Sequence, residues 1–130
     1  MTTVIYASIS AFIISWLSVN VIKKRWQYKV SMGDGGNEQL RTAMAAQSNA
    51  IEYIPIALLL IFALEYNGAN IILLHVLALL FIVGRILQAR GMLTEKLKLR
   101  VLGMKITIYT IIGLALINLV YAPYGKLFVF

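Results

Sequence analysis

The chain is 130 residues long, 61% hydrophobic and 13% charged, with 12 Lys and Arg against 5 Asp and Glu. An apolar fraction of that size excludes an ordinary soluble domain and makes lipid the expected solvent; at about 20 residues per crossing there is room for four spans and no second domain. The absence of cysteine excludes disulfides, thiolate metal sites and a protein-borne thiol nucleophile, so a substrate would have to bring any thiol chemistry.

The first apolar run, residues 4–22, carries apolar side chains on every face and stops at Lys23-Lys24-Arg25, the pattern of a membrane span rather than of an amphipathic surface helix. It ends without a small-residue cleavage site and is expected to persist as the first helix. Residues 23–41 mix Trp26, Tyr28, basic side chains and Gly33-Asp34-Gly35-Gly36, which predicts a surface loop with an aromatic anchor at the membrane boundary. The second run, 42–64, contains Gln47, Ser48, Asn49, Glu52 and Pro55 and is the unusual span. Glu65-Tyr66-Asn67-Gly68 reads as a short connection to a third helix over 70–88, with His75 and Arg85 inside it. A second basic loop, 89–100, leads to a fourth helix over 101–122, which Pro123 ends. The expected fold is all-α, an integral membrane four-helix bundle forming one domain.

Basic residues set the orientation. Lys23, Lys24, Arg25, Lys29 and Arg41 flank the first loop, Arg85, Arg90, Lys96, Lys98, Arg100 and Lys105 flank the third, and only Lys126 lies elsewhere. The positive-inside rule makes that face cytoplasmic and places both termini on the other side. An excess of cations that would suggest nucleic acid in a soluble protein here reads as topology, and no nucleic-acid partner is expected.

A carboxylate inside a span costs roughly 2.5–3.5 kcal/mol at the helix centre, so Glu52 needs a reason to be there. Counting from Thr42 at 1.5 Å per residue puts it about 15 Å into the span. Helical spacing aligns Arg41, Ala45, Ser48, Asn49, Glu52 and Ile56 on one polar stripe. Pro55 removes the donor that would bond the Ile51 carbonyl and allows a kink below Glu52. Arg85 is the expected counterion for Glu52, and Lys23, Arg25 and Arg100 are expected around a cleft suited to a small ligand with one or two carboxylates. The competing reading is that Asn49, Glu52 and Arg85 only hold helices together, with the loop cations solvated or on lipid headgroups. His75, near the opposite end, reads as a packing or interfacial residue; the Gly33–Gly36 segment lacks the strand and Lys-Ser/Thr of a phosphate loop and reads as a turn. Tyr109 could face lipid or the cleft.

The segment Ala46-Gln47-Ser48-Asn49-Ala50-Ile51-Glu52-Tyr53-Ile54-Pro55 resembles the signature of the MAPEG family (membrane-associated proteins in eicosanoid and glutathione metabolism), which reads Asn-x-x-Glu followed shortly by Pro. Gly84-Arg85 and Arg100-x-x-Gly103 fall where that family has similar elements, and Gln27-Tyr28 with Gly33-Asp34-Gly35-Gly36 resembles its short bacterial inner-membrane branch. The resemblance implies a homotrimer in a bacterial inner membrane, binding glutathione as co-substrate between protomers near the cytoplasmic face, with a lipophilic small molecule as second substrate and membrane lipid around it. By position it implies a glutathione site of Lys23, Arg25, Ser48, Asn49, Glu52, Arg85 and Gln88. Arg100 would be catalytic, favouring thiolate over thiol. This chain departs from catalytic members at Ala45 and Ser48, where they carry more basic residues, and at Gln88, where they often have histidine or tyrosine.

Two functions follow: a glutathione-dependent transferase or peroxidase acting on lipophilic electrophiles or hydroperoxides, or a non-catalytic lipid- or glutathione-binding protein of the same fold. A small multidrug transporter is disfavoured, because the essential carboxylate of those proteins lies in helix one, which here has no charge.

Overall fold

The computed structural model describes residues 1–128. Four long helices, α1 Thr2–Tyr28, α2 Glu38–Tyr66, α3 Ile71–Leu93 and α4 Leu97–Tyr121, are followed by a single turn, α5 Tyr124–Leu127. All four are long and apolar enough to cross a membrane. At 27, 29, 23 and 25 residues they run about 35–44 Å, against a hydrocarbon core of about 30 Å, so their ends project beyond the apolar layer.

The helices therefore absorb most of what the sequence pattern assigns to loops. Lys23, Lys24, Arg25, Trp26 and Tyr28 lie on α1, and the first loop is only 29–37; α3 and α4 are separated by Thr94, Glu95 and Lys96 alone. The cause is local. Hydropathy marks where a helix leaves lipid, whereas its hydrogen bonds stop only where the backbone turns: at Lys29, in the left-handed region (φ 55°), and at Glu95 (φ 57°). Asn37 opens α2 by accepting from the Leu40 amide, and Asn70 opens α3 by accepting from those of Ile72 and Leu73, each as a side-chain N-cap. The helix α2 runs through Pro55 without a break.

The centre of the bundle is α2 and α3. Helix α1 packs on both, α4 packs on both, and α1 and α4 do not meet among the described residues. Ala43, Ala46, Ala50 and Ala57 lie fully inside, a small-residue stripe that lets α2 approach its neighbours where apolar burial alone gives no drive, lipid being as apolar as the interior. The closest contact is between α3 and α4. A Cβ built on Gly103 would lie 2.2 Å from the Gln88 backbone nitrogen, one on Gly91 2.3 Å from that of Arg100, and one on Gly84 3.1 Å from that of Thr107. Three glycines thus let two backbones run in near contact and fix the register of Arg85 and Gln88 against Thr107.

The ends are tied by polar contacts. The Glu65 carboxylate, at the end of α2, accepts from the backbone amides of Thr2 and, at 3.1 Å, Thr3, so it caps α1 from a neighbouring helix. Tyr6 and His75 share a 2.7 Å hydrogen bond between α1 and α3, consistent with the packing role expected of His75. The Asn118 amide donates to the Leu60 and Leu114 carbonyls at 3.0 and 2.8 Å, joining α4 to α2.

Candidate functional site

The basic residues gather at one end of the bundle, around the C-termini of α1 and α3 and the N-termini of α2 and α4. Ten of the twelve lie there, Lys126 is at the other end, and Arg85 is inside. Between α2 and the α3–α4 turn is a cleft of about 360 Å³ lined by Arg41, Thr42, Ala45, Gly91, Met92, Glu95, Leu97 and Arg100, within the range of small-molecule sites, roughly 300–1,000 Å³. Arg41 and Arg100 face it from opposite walls. Arg41 is held by Asp34 at 2.9 Å, and the amide of Gly36 followed by Arg41 keeps the Asp34 carboxyl below its ordinary range.

Deeper, Arg85 is fully buried on α3, about 12 Å below the end of that helix. Its guanidinium donates to Asn49 Oδ1 at 2.6 Å, Gln88 Oε1 at 3.2 Å and Thr107 Oγ1 at 3.5 Å, and its Cζ stands 5.6 Å from the centre of the Tyr53 ring, close enough for a cation–π contact. Gln88 in turn donates to Met92 Sδ at 2.8 Å, and Met92 lines the cleft. One side chain thus connects α2, α3 and α4. Its partners within the chain are all neutral, and Nε has no hydrogen-bond acceptor.

The expected Glu52–Arg85 pair does not form within the chain; the one ion pair among the described residues is Arg41–Asp34. Helix phase accounts for this. Asn49 and Tyr53 are a turn apart on the inward side of α2, whereas Glu52 lies about 60° round from Asn49 and is exposed with Ser48, Ala45, Arg41 and Ile56. The stripe exists as expected, but its inner edge serves Arg85 and its outer edge faces away from the bundle. Glu52 is the middle residue of α2 (Glu38–Tyr66), about 21 Å from either end; since the helix ends overhang the apolar layer, this agrees with the depth of about 15 Å counted from Thr42.

The structure brings Asn49, Arg85 and Gln88 together and puts Arg100 at the cleft wall. Lys23 and Arg25 do not line this cleft. Arg25 donates to the Gly33 carbonyl at 2.8 Å and lies 3.4 Å from that of Val30, bracing the 29–37 loop. Ser48 is exposed on the outer edge, and Tyr109 is exposed on α4 away from the cleft. Sequence reasoning missed Tyr53 and Thr107 as partners of Arg85, and Arg41 as a cleft wall. Tyr53 had a usable signal, its spacing of four from Asn49; Thr107 is set by the glycine contact between α3 and α4 and had none.

A sequence model of the MAPEG family matches residues 3–120. "Inner membrane protein YecN" of Escherichia coli K12 is 34% identical over 128 residues, covering 98% of each chain, and the protein of the same description from Escherichia coli O6:H1 gives the same figures. A match across all four spans, joined to a full-length relative at 34% identity, makes the chain a member of the MAPEG family.

Proposed function

We propose that the chain is a glutathione-dependent membrane enzyme, a transferase or peroxidase acting on lipophilic electrophiles or hydroperoxides, and that it works as a homotrimer in a bacterial inner membrane with its basic end cytoplasmic. One observation carries the reading: a fully buried guanidinium with no carboxylate partner lies beneath a cleft walled by two further arginines. Burying a charge among neutral acceptors is costly, and an anionic ligand reaching down the cleft would offset that cost. The MAPEG family includes glutathione transferases, and the inner-membrane location is that of the YecN relative.

Glutathione fits the donor set: its carboxylates suit Arg41 and Arg85, and its peptide groups suit Asn49 and Gln88. When bound it would supply the thiol nucleophile. Arg100, at the cleft wall, would hold the sulfur as thiolate by its positive charge. In a transfer reaction a carbon–sulfur bond forms, the leaving group departs with its electron pair, and the thiol proton goes to water. In peroxide reduction two thiols are oxidised to a disulfide while the hydroperoxide becomes an alcohol and water. Glu52, Ser48, Lys23 and Arg25, which point away from the cleft of their own protomer, would complete the site of a neighbour. An outward carboxylate at mid-span is stable there only against protein or water, since lipid contact costs roughly 2.5–3.5 kcal/mol.

The test is calorimetric glutathione binding, with conjugation of a chlorinated aromatic, on purified protein. Wild type is expected to bind and turn over. Arg85→Ala is expected to lose at least about 30-fold in affinity, the lower end of the effect of removing a buried charge partner, and Glu52→Gln about tenfold, for one charge-assisted hydrogen bond. Absence of both binding heat and conjugation at saturating glutathione would refute the reading. Ala45 in the cleft wall and Ser48, where catalytic relatives have more basic side chains, favour a second reading, a binding protein without turnover, for which heat without conjugation is the signature.

A further inference from the structure

The outer side of α4 joins cations to exposed apolar side chains. Near the basic end it carries Lys98, Arg100 and Lys105, none of them in an ion pair among the described residues. Lys98 and Lys105 are two turns apart on one side of the helix and share the shallow depression lined by Leu97, Val101 and Leu102. Beside it a larger groove of about 490 Å³ runs along Leu97, Val101, Met104 and Ile108, with Arg100 on one bank and Lys105 and Tyr109 on the other. The helix also begins without an acidic residue in its first turn or a side-chain cap, leaving the positive end of its dipole open.

Depth decides what suits this face. Lys105 is eight residues into α4, about 12 Å along the axis, where an ammonium group must reach back toward the headgroup layer or meet an anion. A second copy of the chain is a poor source of that anion. Of the five carboxylates, Asp34 holds Arg41, Glu65 caps α1 and Glu52 sits at mid-span. That leaves Glu38 and Glu95, against ten cations at the same end.

We infer that this groove is a binding site for one anionic glycerophospholipid, its phosphate held between Lys98 and Lys105 and an acyl chain laid along Val101, Met104 and Ile108. The ammonium groups give selectivity for the anionic headgroup, and the apolar floor between the cations gives affinity that a soluble phosphate cannot match. Arg100 borders both this groove and the cleft between α2 and the α3–α4 turn, so bound lipid would form part of the membrane-side boundary of that cleft.

Native mass spectrometry tests this on intact protein in neutral detergent, offered equimolar phosphatidylglycerol and phosphatidylcholine. Retention of one phosphatidylglycerol per chain, in preference to phosphatidylcholine, is expected. Lys98→Gln with Lys105→Gln should weaken it roughly 25-fold, about fivefold per lysine. Lys24→Gln with Lys29→Gln removes the same charge from the same end outside the groove and should change retention less than twofold. Millimolar glycerophosphate should not displace the lipid. The inference is overturned by equal retention of the two lipids, by equal losses in the two double variants, or by displacement with glycerophosphate. A fall in assembly mass in the Lys98/Lys105 variant would also overturn it, because the face would then belong to a neighbouring copy. Arg100 is untouched throughout, so the result does not depend on the glutathione reading.

Discussion

Replacing Gly103 with alanine places a methyl carbon 2.2 Å from the Gln88 backbone nitrogen and 2.7 Å from both Gln88 Cα and the Gly84 carbonyl oxygen. Ordinary contact begins near 3.4 Å, so the two helices must part by about 1.2 Å, the difference between 3.4 and 2.2 Å. No rotamer change can relieve this, because the obstructing atoms are backbone of a helix also pinned at Gly91 and Gly84. The substitution therefore belongs at the upper end of overpacking costs, about 3 kcal/mol. For a chain of this size that corresponds to a Tm lower by roughly 10 °C. The same displacement would stretch the 3.5 Å Arg85–Thr107 contact past hydrogen-bond range, so on the proposed function glutathione affinity should fall with stability. Thermal melting followed by circular dichroism in a fixed detergent measures the effect, with Gly113→Ala as the internal control. Gly113 is on the same helix with nothing within 4 Å of its added Cβ, so alanine there should raise stability by up to about 0.8–1 kcal/mol through helix propensity. A Gly103→Ala melt within 2 °C of wild type, or a Gly113→Ala loss of equal size, would show that the two backbones are not in near contact.

Glu65→Ala leaves the first amides of α1 without their cap and should cost about 1 kcal/mol, the usual effect of losing an N-cap; amide exchange at residues 2–6 should quicken while the centre of α1 is unchanged. Asp34 has a folded pKa below its ordinary value, chiefly through the Gly36 amide and then Arg41. Its contribution is present above the unfolded pKa and disappears as pH falls through the lower folded value. Proteolysis of the 29–37 loop should accordingly be constant from about pH 8 to pH 5 and rise only below about pH 4. Asn118→Leu removes the Leu60 carbonyl contact that ties α4 to α2, with the intrahelical one to Leu114, and should cost about 0.6 kcal/mol and no more than about 1.7, the span found for polar contacts between membrane helices, read from denaturant titration.

Much of the fold was legible because lipid forces it. Backbone groups in hydrocarbon must bond within the helix, so each long apolar run had one possible conformation, and all four spans lie where hydropathy placed them. Their ends were misplaced by up to six residues because Lys23 to Tyr28 leave the lipid without leaving the helix; polarity marks the membrane boundary, and Lys29 and Asn37 mark the helix boundary. The site was half legible. Asn49 and Glu52 stood out as polar residues in an apolar run and Arg85 as a charge inside a span. The pairing chosen from charge alone, Glu52 with Arg85, gave way to Asn49, because three residues along a helix is enough to turn a side chain from the interior to the outside.

The sequence by itself determined that the chain crosses a membrane four times, that its cations gather at one end, and that a carboxylate and a guanidinium lie inside the second and third spans, since each of these follows from the transfer cost of a residue type at a position along the chain. Tertiary structure alone decided which of those groups meet. The near-contact of α3 and α4 across Gly84, Gly91 and Gly103 sets Thr107 beside Arg85, and the rotation of α2 sends Asn49 inward and Glu52 outward. Helix phase and separation depend on packing between segments distant in the chain, and no local pattern of residues encodes them.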